Sequence, residues 1–211
     1  MSQPTEPFPL DLVAVPESNA ALRLEARLDA QALRGLYPLL ERGVLLRLPV
    51  NASVAQVLTA GLGLALEFIA SRVQTVFLDS KPVDDLEVAV VREGSVLALS
   101  AAMPGLVGAT MRRGGVLAGF RSGISATSGG GDREAENDAG GRGQARTGLV
   151  TVKLFNMLRE EVGAGLLRAG VWVRLGALRD LGEVAEECFP VLASLSGEQP
   201  ETLVFFRVTS T

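Results

Sequence analysis

The chain has no histidine among its 211 residues. This absence removes the commonest general base, the commonest zinc ligand and every Ser-His or Cys-His nucleophile pair. Cys188 is the only cysteine, so neither an intrachain disulfide nor a cysteine-based metal cluster can form. Late in an amphipathic stretch, it reads as a small buried hydrophobe rather than a reactive thiol. A positive excess is missing too. With 24 acidic residues against 20 basic ones, the net charge is -4, which argues against a general nucleic-acid binder, because neutralising phosphates needs clustered positive charge. A local basic patch is still compatible with that balance. The nearest thing to a membrane segment, Val54 to Ala70, contains Gln56, Thr59 and Glu67. It is about a turn short of a comfortable span and opens on a capping box, so it predicts a buried helix or helix pair and no membrane association. Met1 to Pro9 carries neither the basic n-region nor the long apolar h-region of a secretory signal, and a cytoplasmic location is expected.

What is present is ample apolar content, 47%, enough for one large domain or two small ones. The chain also resembles itself at an offset of 127 residues. Leu39 to Leu48 aligns without gaps on Leu166 to Leu175, with six of the ten positions identical. The same offset lays Ser53-Val54-Ala55-Gln56 on Asp180-Leu181-Gly182-Glu183, both in the pattern of a capping box, and the strand-like Thr75 to Leu78 on Thr202 to Phe205. Each half is therefore predicted to run strand, capped helix, strand.

In the first half the pattern predicts strands over Leu22–Leu28, Val44–Leu48, Gln74–Asp79 and Val96–Ser100. Helices are predicted over Gln31–Arg42 and from Val54 to about Val73, the latter with a joint at Gly61 and Gly63. Turns fall at Ser80-Lys81-Pro82 and Glu93-Gly94. In the second half it predicts strands over Leu149–Phe155, Val171–Leu175 and Thr202–Val208, and helices over Asn156–Leu167 and from Asp180 toward Cys188. Residues 1–20, with four prolines, read as a surface tail. Residues 122–148, glycine-rich and polar, read as a flexible linker between a domain at 21–121 and a shorter one at 149–211.

Two segments carry a family resemblance. Val152-Lys153-Leu154-Phe155-Asn156-Met157-Leu158-Arg159-Glu160 is similar to the first strand and following Leu-Arg-Glu of the molybdopterin synthase small subunit. Val76-Phe77-Leu78-Asp79-Ser80-Lys81-Pro82-Val83-Asp84 and Val91-Arg92-Glu93-Gly94-Ser95-Val96-Leu97-Ala98-Leu99 resemble the late strands and turns of that protein and of the thiamine-biosynthesis sulfur carrier. The resemblance implies an α+β protein built of two β-grasp (ubiquitin-like) halves with mixed sheets, the second abbreviated. It implies a non-enzymatic interaction or carrier-like module without a cofactor or metal, whose partner is a protein such as an adenylating or cofactor-assembly enzyme. The departures bear on function. Sulfur carriers end in a free Gly-Gly that is adenylated and converted to a thiocarboxylate, whereas this sequence ends Val208-Thr209-Ser210-Thr211. The second half also lacks a counterpart of Val96–Ser100, which predicts an open sheet edge. Either Val116–Phe120 covers it as a substitute strand or a second copy pairs there in a homodimer.

The resemblance directs attention to the segment after Ser100, where the carriers hold their reactive tail. Gly105, Gly108, Arg112, Arg113, Gly114 and Gly115 are the candidate binding residues. As a glycine-containing loop with two arginines, Gly105 to Gly115 also fits the alternative of a binding protein or enzyme for an anionic small molecule. It has neither a Walker loop nor a dinucleotide fingerprint. Arg112-Arg113-Gly114-Gly115 further resembles the basic-Gly-Gly end of ubiquitin-like modifiers, a role that requires cleavage after Gly115. The carboxylates Asp79, Asp84, Asp85 and Glu87 fit no Ca²⁺ loop and read as a solvated hairpin end.

Overall fold

The computed structural model describes residues 22–102, 105–115 and 146–210. Its strands are β1 (Leu22–Leu28), β2 (Val44–Pro49), β3 (Ala52–Ser53), β4 (Thr75–Leu78), β5 (Lys81–Pro82), β6 (Val90–Val91), β7 (Val96–Ser100), β8 (Thr147–Phe155), β9 (Val171–Arg174) and β10 (Leu203–Ser210). Its helices are α1 (Ala30–Gly35), α2 (Pro38–Arg42), α3 (Val54–Gln56), α4 (Leu66–Arg72), α5 (Gly105–Met111), α6 (Met157–Ala169), α7 (Leu175–Arg179) and α8 (Glu183–Cys188). The class is α+β. No helix among the described residues is long and apolar enough to cross a membrane. The tail at 1–20, the strand proposed at Val116–Phe120 and all but the last residues of the linker lie outside the described residues.

Local chemistry explains most boundaries. Ser53 Oγ accepts from the Gln56 N–H at 3.2 Å while Gln56 Oε1 accepts from the Ser53 N–H at 3.0 Å, closing the reciprocal cap on α3. Asp29 caps α1 in one direction only, accepting from the N–H groups of Gln31 and Ala32. The hairpin between β4 and β5 turns on Asp79 and Ser80, both left-handed (φ 49° and 67°), as a two-residue connection requires.

Several expectations are corrected. The helix predicted over Gln31–Arg42 is two helices, because Pro38 brings no N–H and the chain tightens through Leu36 and Tyr37 with bonds to carbonyls three residues back. The second capping box does not form. α7 starts at Leu175, directly after β9, so Asp180 falls at its C-terminal end, and α8 is entered through Gly182 at φ 57°. The strand predicted to reach Leu175 accordingly stops at Arg174. The stretch Gly105 to Gly115, predicted as a loop, begins with α5 over Gly105–Met111; Gly105, at φ 79°, is the left-handed residue at its start.

Eight strands form one sheet in the order β1-β10-β9-β2-β8-β7-β4-β5. Strand β2 lies between two strands of the second half. It is antiparallel to β8 over six pairs, from Val44↔Val152 to Pro49↔Thr147, and to β9 at Leu45↔Trp172. That last pair is separated by 127 residues, the repeat offset, so equivalent residues of the two halves face each other across a local two-fold axis. The symmetry ends one strand away. β8 flanks β2, but β10, not β1, flanks β9, and β1 adds outside β10 in parallel over seven pairs. The edge that the abbreviated half was expected to leave open is thus covered, by β1.

One face of the sheet buries Val44, Leu46 and Leu48 of β2, Val150, Val152 and Leu154 of β8, Val171 and Val173 of β9, and Val204, Phe206 and Val208 of β10. These join Leu33, Leu36, Leu39, Leu40, Val54, Leu58, Ile69, Leu158, Leu166 and Leu178 from the helices in a single core. Trp172 and Phe205 are buried but outside that core, packed on each other on the opposite face with centroids 5.3 Å apart. Gly170 sits at φ 101° immediately before β9, and a Cβ there would run into the Phe205 ring. Gly170→Ala is therefore expected to cost more than 2 kcal/mol in urea unfolding, from strained backbone of about 1–2 kcal/mol plus the clash. Gly94→Ala, at φ 78° with open space around it, should cost only the backbone part.

Candidate functional site

The residues singled out after Ser100 are brought together in one segment. Gly105 and Gly108 belong to α5. Arg112 donates through Nε to Gln74 Oε1 at 2.6 Å, and the Arg113 N–H donates to the Gln74 carbonyl at 2.8 Å. The Arg113 guanidinium reaches the Ile69 carbonyl at 3.4 Å. Gly114, at φ 63°, turns the chain, and the Gly115 N–H bonds back to the Arg112 carbonyl. Both arginines thus tie this segment to the C-terminal end of α4. Burial lowers the Arg113 pKa, a shift that Asp84 opposes.

Arg113 forms part of an open groove of about 580 Å³ with an apolar floor of Ala55, Leu66, Ile69 and Leu86. Asp84, Asp85 and Glu87 lie on its rim, so an anion entering it meets three carboxylates. The acidic cluster does not converge on a cation either. Asp79 is engaged by the Val96 N–H at 2.7 Å and Ser95 Oγ at 3.1 Å, and Asp85 by the Glu87 N–H at 2.9 Å. No three His, Cys, Asp or Glu side chains among the described residues are grouped as a metal site would need.

The face of the sheet on which no described helix packs is the site that sequence reasoning missed. Alternation along the strands puts Arg23, Glu25 and Arg27 of β1, Phe205 and Arg207 of β10, Trp172 and Arg174 of β9, Leu45 and Arg47 of β2, and Thr151 and Lys153 of β8 on it. Six cations therefore share a face with one strand carboxylate. Glu25 accepts from Arg207 at 2.8 Å, Arg174 pairs with Glu201 at 2.7 Å, and Arg23 lies over the Phe205 ring at 5.8 Å. Arg47 and Lys153 have no ionic or hydrogen-bonded partner among the described residues, and Arg47 Nε is buried unsatisfied. The signal was present as arginines at alternate strand positions, including the repeat equivalents Arg47 and Arg174. Only the strand order reveals that they are neighbours.

Cys188 is buried, and burial pushes its thiol pKa up, with Glu187 and Asp29 acting in the same direction. The folded protein holds this proton more tightly than the unfolded chain. The resulting stability is full below the ordinary thiol range and is lost as pH rises through it. Iodoacetamide at pH 8 should alkylate the native protein at least about tenfold more slowly than the urea-unfolded chain, and urea midpoints should fall between pH 7 and pH 10 more in the parent than in Cys188→Ala. Equal alkylation rates would contradict the burial. No protein-family model, curated protein or solved structure matches this chain.

Proposed function

We propose that this protein is a non-enzymatic interaction module of the β-grasp sulfur-carrier type, which engages a protein partner on the face of its sheet opposite the core helices. The observation that carries this reading is the one-sidedness of the sheet. Among the described residues the core helices lie on one face and six cations on the other, three of which, Arg27, Arg47 and Lys153, have no ionic or hydrogen-bonded partner, around a small buried aromatic centre. Arginines next to aromatic rings are side chains that anchor association.

Five adjacent strands support the finer fold. Read from β2, the order is β2-β8-β7-β4-β5, with antiparallel, parallel, antiparallel and antiparallel neighbours, and with the capped helical segment between β2 and β4. A β-grasp lays its second, first, fifth, third and fourth strands side by side in this way. Here β8, from the second half, stands as the first strand. The abbreviated second grasp is reduced to β9, β10 and β1. The adenylating and cofactor-assembly enzymes that serve sulfur carriers are the first partners to try.

A photo-crosslinking residue substituted at Leu45, half-buried on the sheet face opposite the core helices, should trap a protein partner in extract of the source cells. The same residue at Glu183, on the helical side, should not. The reading fails if adducts form equally from both positions or from neither. The competing small-molecule function predicts instead a rise in melting temperature with nucleotides or phosphorylated metabolites that Arg113→Ala abolishes.

A further inference from the structure

We infer that the outer edge of β1 is a dimer interface, at which a second copy of this chain pairs antiparallel across a two-fold axis at Ala26. The two edges of the eight-stranded sheet are built differently. β5, at one end, is two residues long and contains Pro82, which has no N–H to offer, so that edge is blunted. β1, at the other end, is seven residues long, has no proline or glycine, and pairs in unbroken register with β10. Among the described residues no N–H or C=O of Leu22–Leu28 is bonded to any segment but β10. Alternate backbone groups along the strand therefore point outward and form a template for a further strand.

The side chains of β1 select the partner. Leu22, Leu24, Ala26 and Leu28 lie on the core face, and Arg23, Glu25 and Arg27 on the other, where all three are exposed. An added strand must present the same alternation to keep apolar residues beside the core, as a second β1 does. Centred on Glu25, self-pairing sets Glu25 against its own copy and Arg23 against Arg27, which like-charge repulsion disfavours. Centred on Ala26, it sets Glu25 against Arg27 twice. Arg27 has no ionic or hydrogen-bonded partner of its own among the described residues, and Glu25, which accepts from Arg207 through Oε1, has a second oxygen for it. On the core face this register lays Leu24 against Leu28 and Ala26 against Ala26, covering two residues, Ala26 and Leu28, that are only half-buried in the single chain. A register centred on Leu24 also opposes unlike charges, but it uses Arg23, already over the Phe205 ring, and leaves Arg27 unmatched. The ladder supplies about four to six backbone hydrogen bonds over a small area, so the dimer is weak and forms at high protein concentration. It lies at the sheet edge and is independent of the reading that places a protein partner on the cationic face.

The test is sedimentation velocity of the full chain from about 1 to about 200 µM, over which a weak dimer should dissociate on dilution. Arg27→Glu, which opposes like charges twice, should weaken the dimer at least about tenfold, and adding Glu25→Arg should restore it, because the swapped pair is again opposite in sign. Both positions are exposed, so these variants keep the fold. In a Cys188→Ala background, Ala26→Cys should form a covalent dimer under mild oxidation, since residues on the two-fold axis of an antiparallel pair lie about 4.5–5.5 Å apart at Cα, within disulfide reach. Arg168→Cys, exposed on α6, should not. A chain that stays monomeric throughout, a dimer that Arg27→Glu leaves unchanged or strengthens, a charge swap that restores nothing, or an Ala26→Cys chain that does not cross-link would each overturn the inference.

Discussion

Every other part of the structure depends on the pairing of β2 with strands that arrive about a hundred residues later. Val44, Leu46 and Leu48 are almost completely buried, each stabilising the fold by about 1.5–3 kcal/mol. Yet the backbone of that strand is satisfied only when β8 closes one side and β9 meets the other. An unpaired strand in a core is costly because each N–H or C=O left without a partner loses its water for nothing. Neither half can therefore complete this sheet alone. The halves are interleaved, and their separation in sequence makes the central ladder a long-range contact of the kind that is formed slowly.

That interleaving also separates charge. The helices bring acidic side chains to their own surface, and Arg159 with Glu41 and Arg72 with Glu161 bridge α6 to α2 and α4 there. Exposed pairs of this kind contribute little to stability. The opposite face of the sheet collects arginines from strands that are distant in sequence. Among the described residues one side of the sheet is thus strongly positive in a chain of modest negative charge, and such a local field, rather than the sum, steers a partner.

Local elements were the legible part. The alternation in Leu22–Leu28 and Val96–Ser100, the cap at Ser53 and the turn at Gly94 each rest on residues within a few positions of one another, and each is found where expected. The repeat was legible as well, down to the pair Leu45 and Trp172. What the same reasoning could not see is competition between distant partners. Asp180 and Glu183 have cap spacing, but a helix beginning five residues earlier captures the chain first. The glycines at 105 and 108 suggest a loop, but a single left-handed residue is enough to start α5. The candidate arginines at 112 and 113 were found together yet turned toward α4, and the cationic sheet face needed the order of eight strands, which no local pattern encodes.

The parallel union of β1 with β10 gives the molecule a mechanical character. Leu22 lies beside Val204 and Leu28 beside Ser210, so a pull applied to the chain before β1 and after β10 acts at opposite ends of the pair. The seven-residue ladder is then loaded in shear. Its evenly spaced bonds share the force instead of opening one after another, as they would if peeled from a single end. If the chain is tethered on both sides, its outermost two strands act as a clamp that protects the sheet behind them, and the rate at which that clamp slips sets the force the fold can bear.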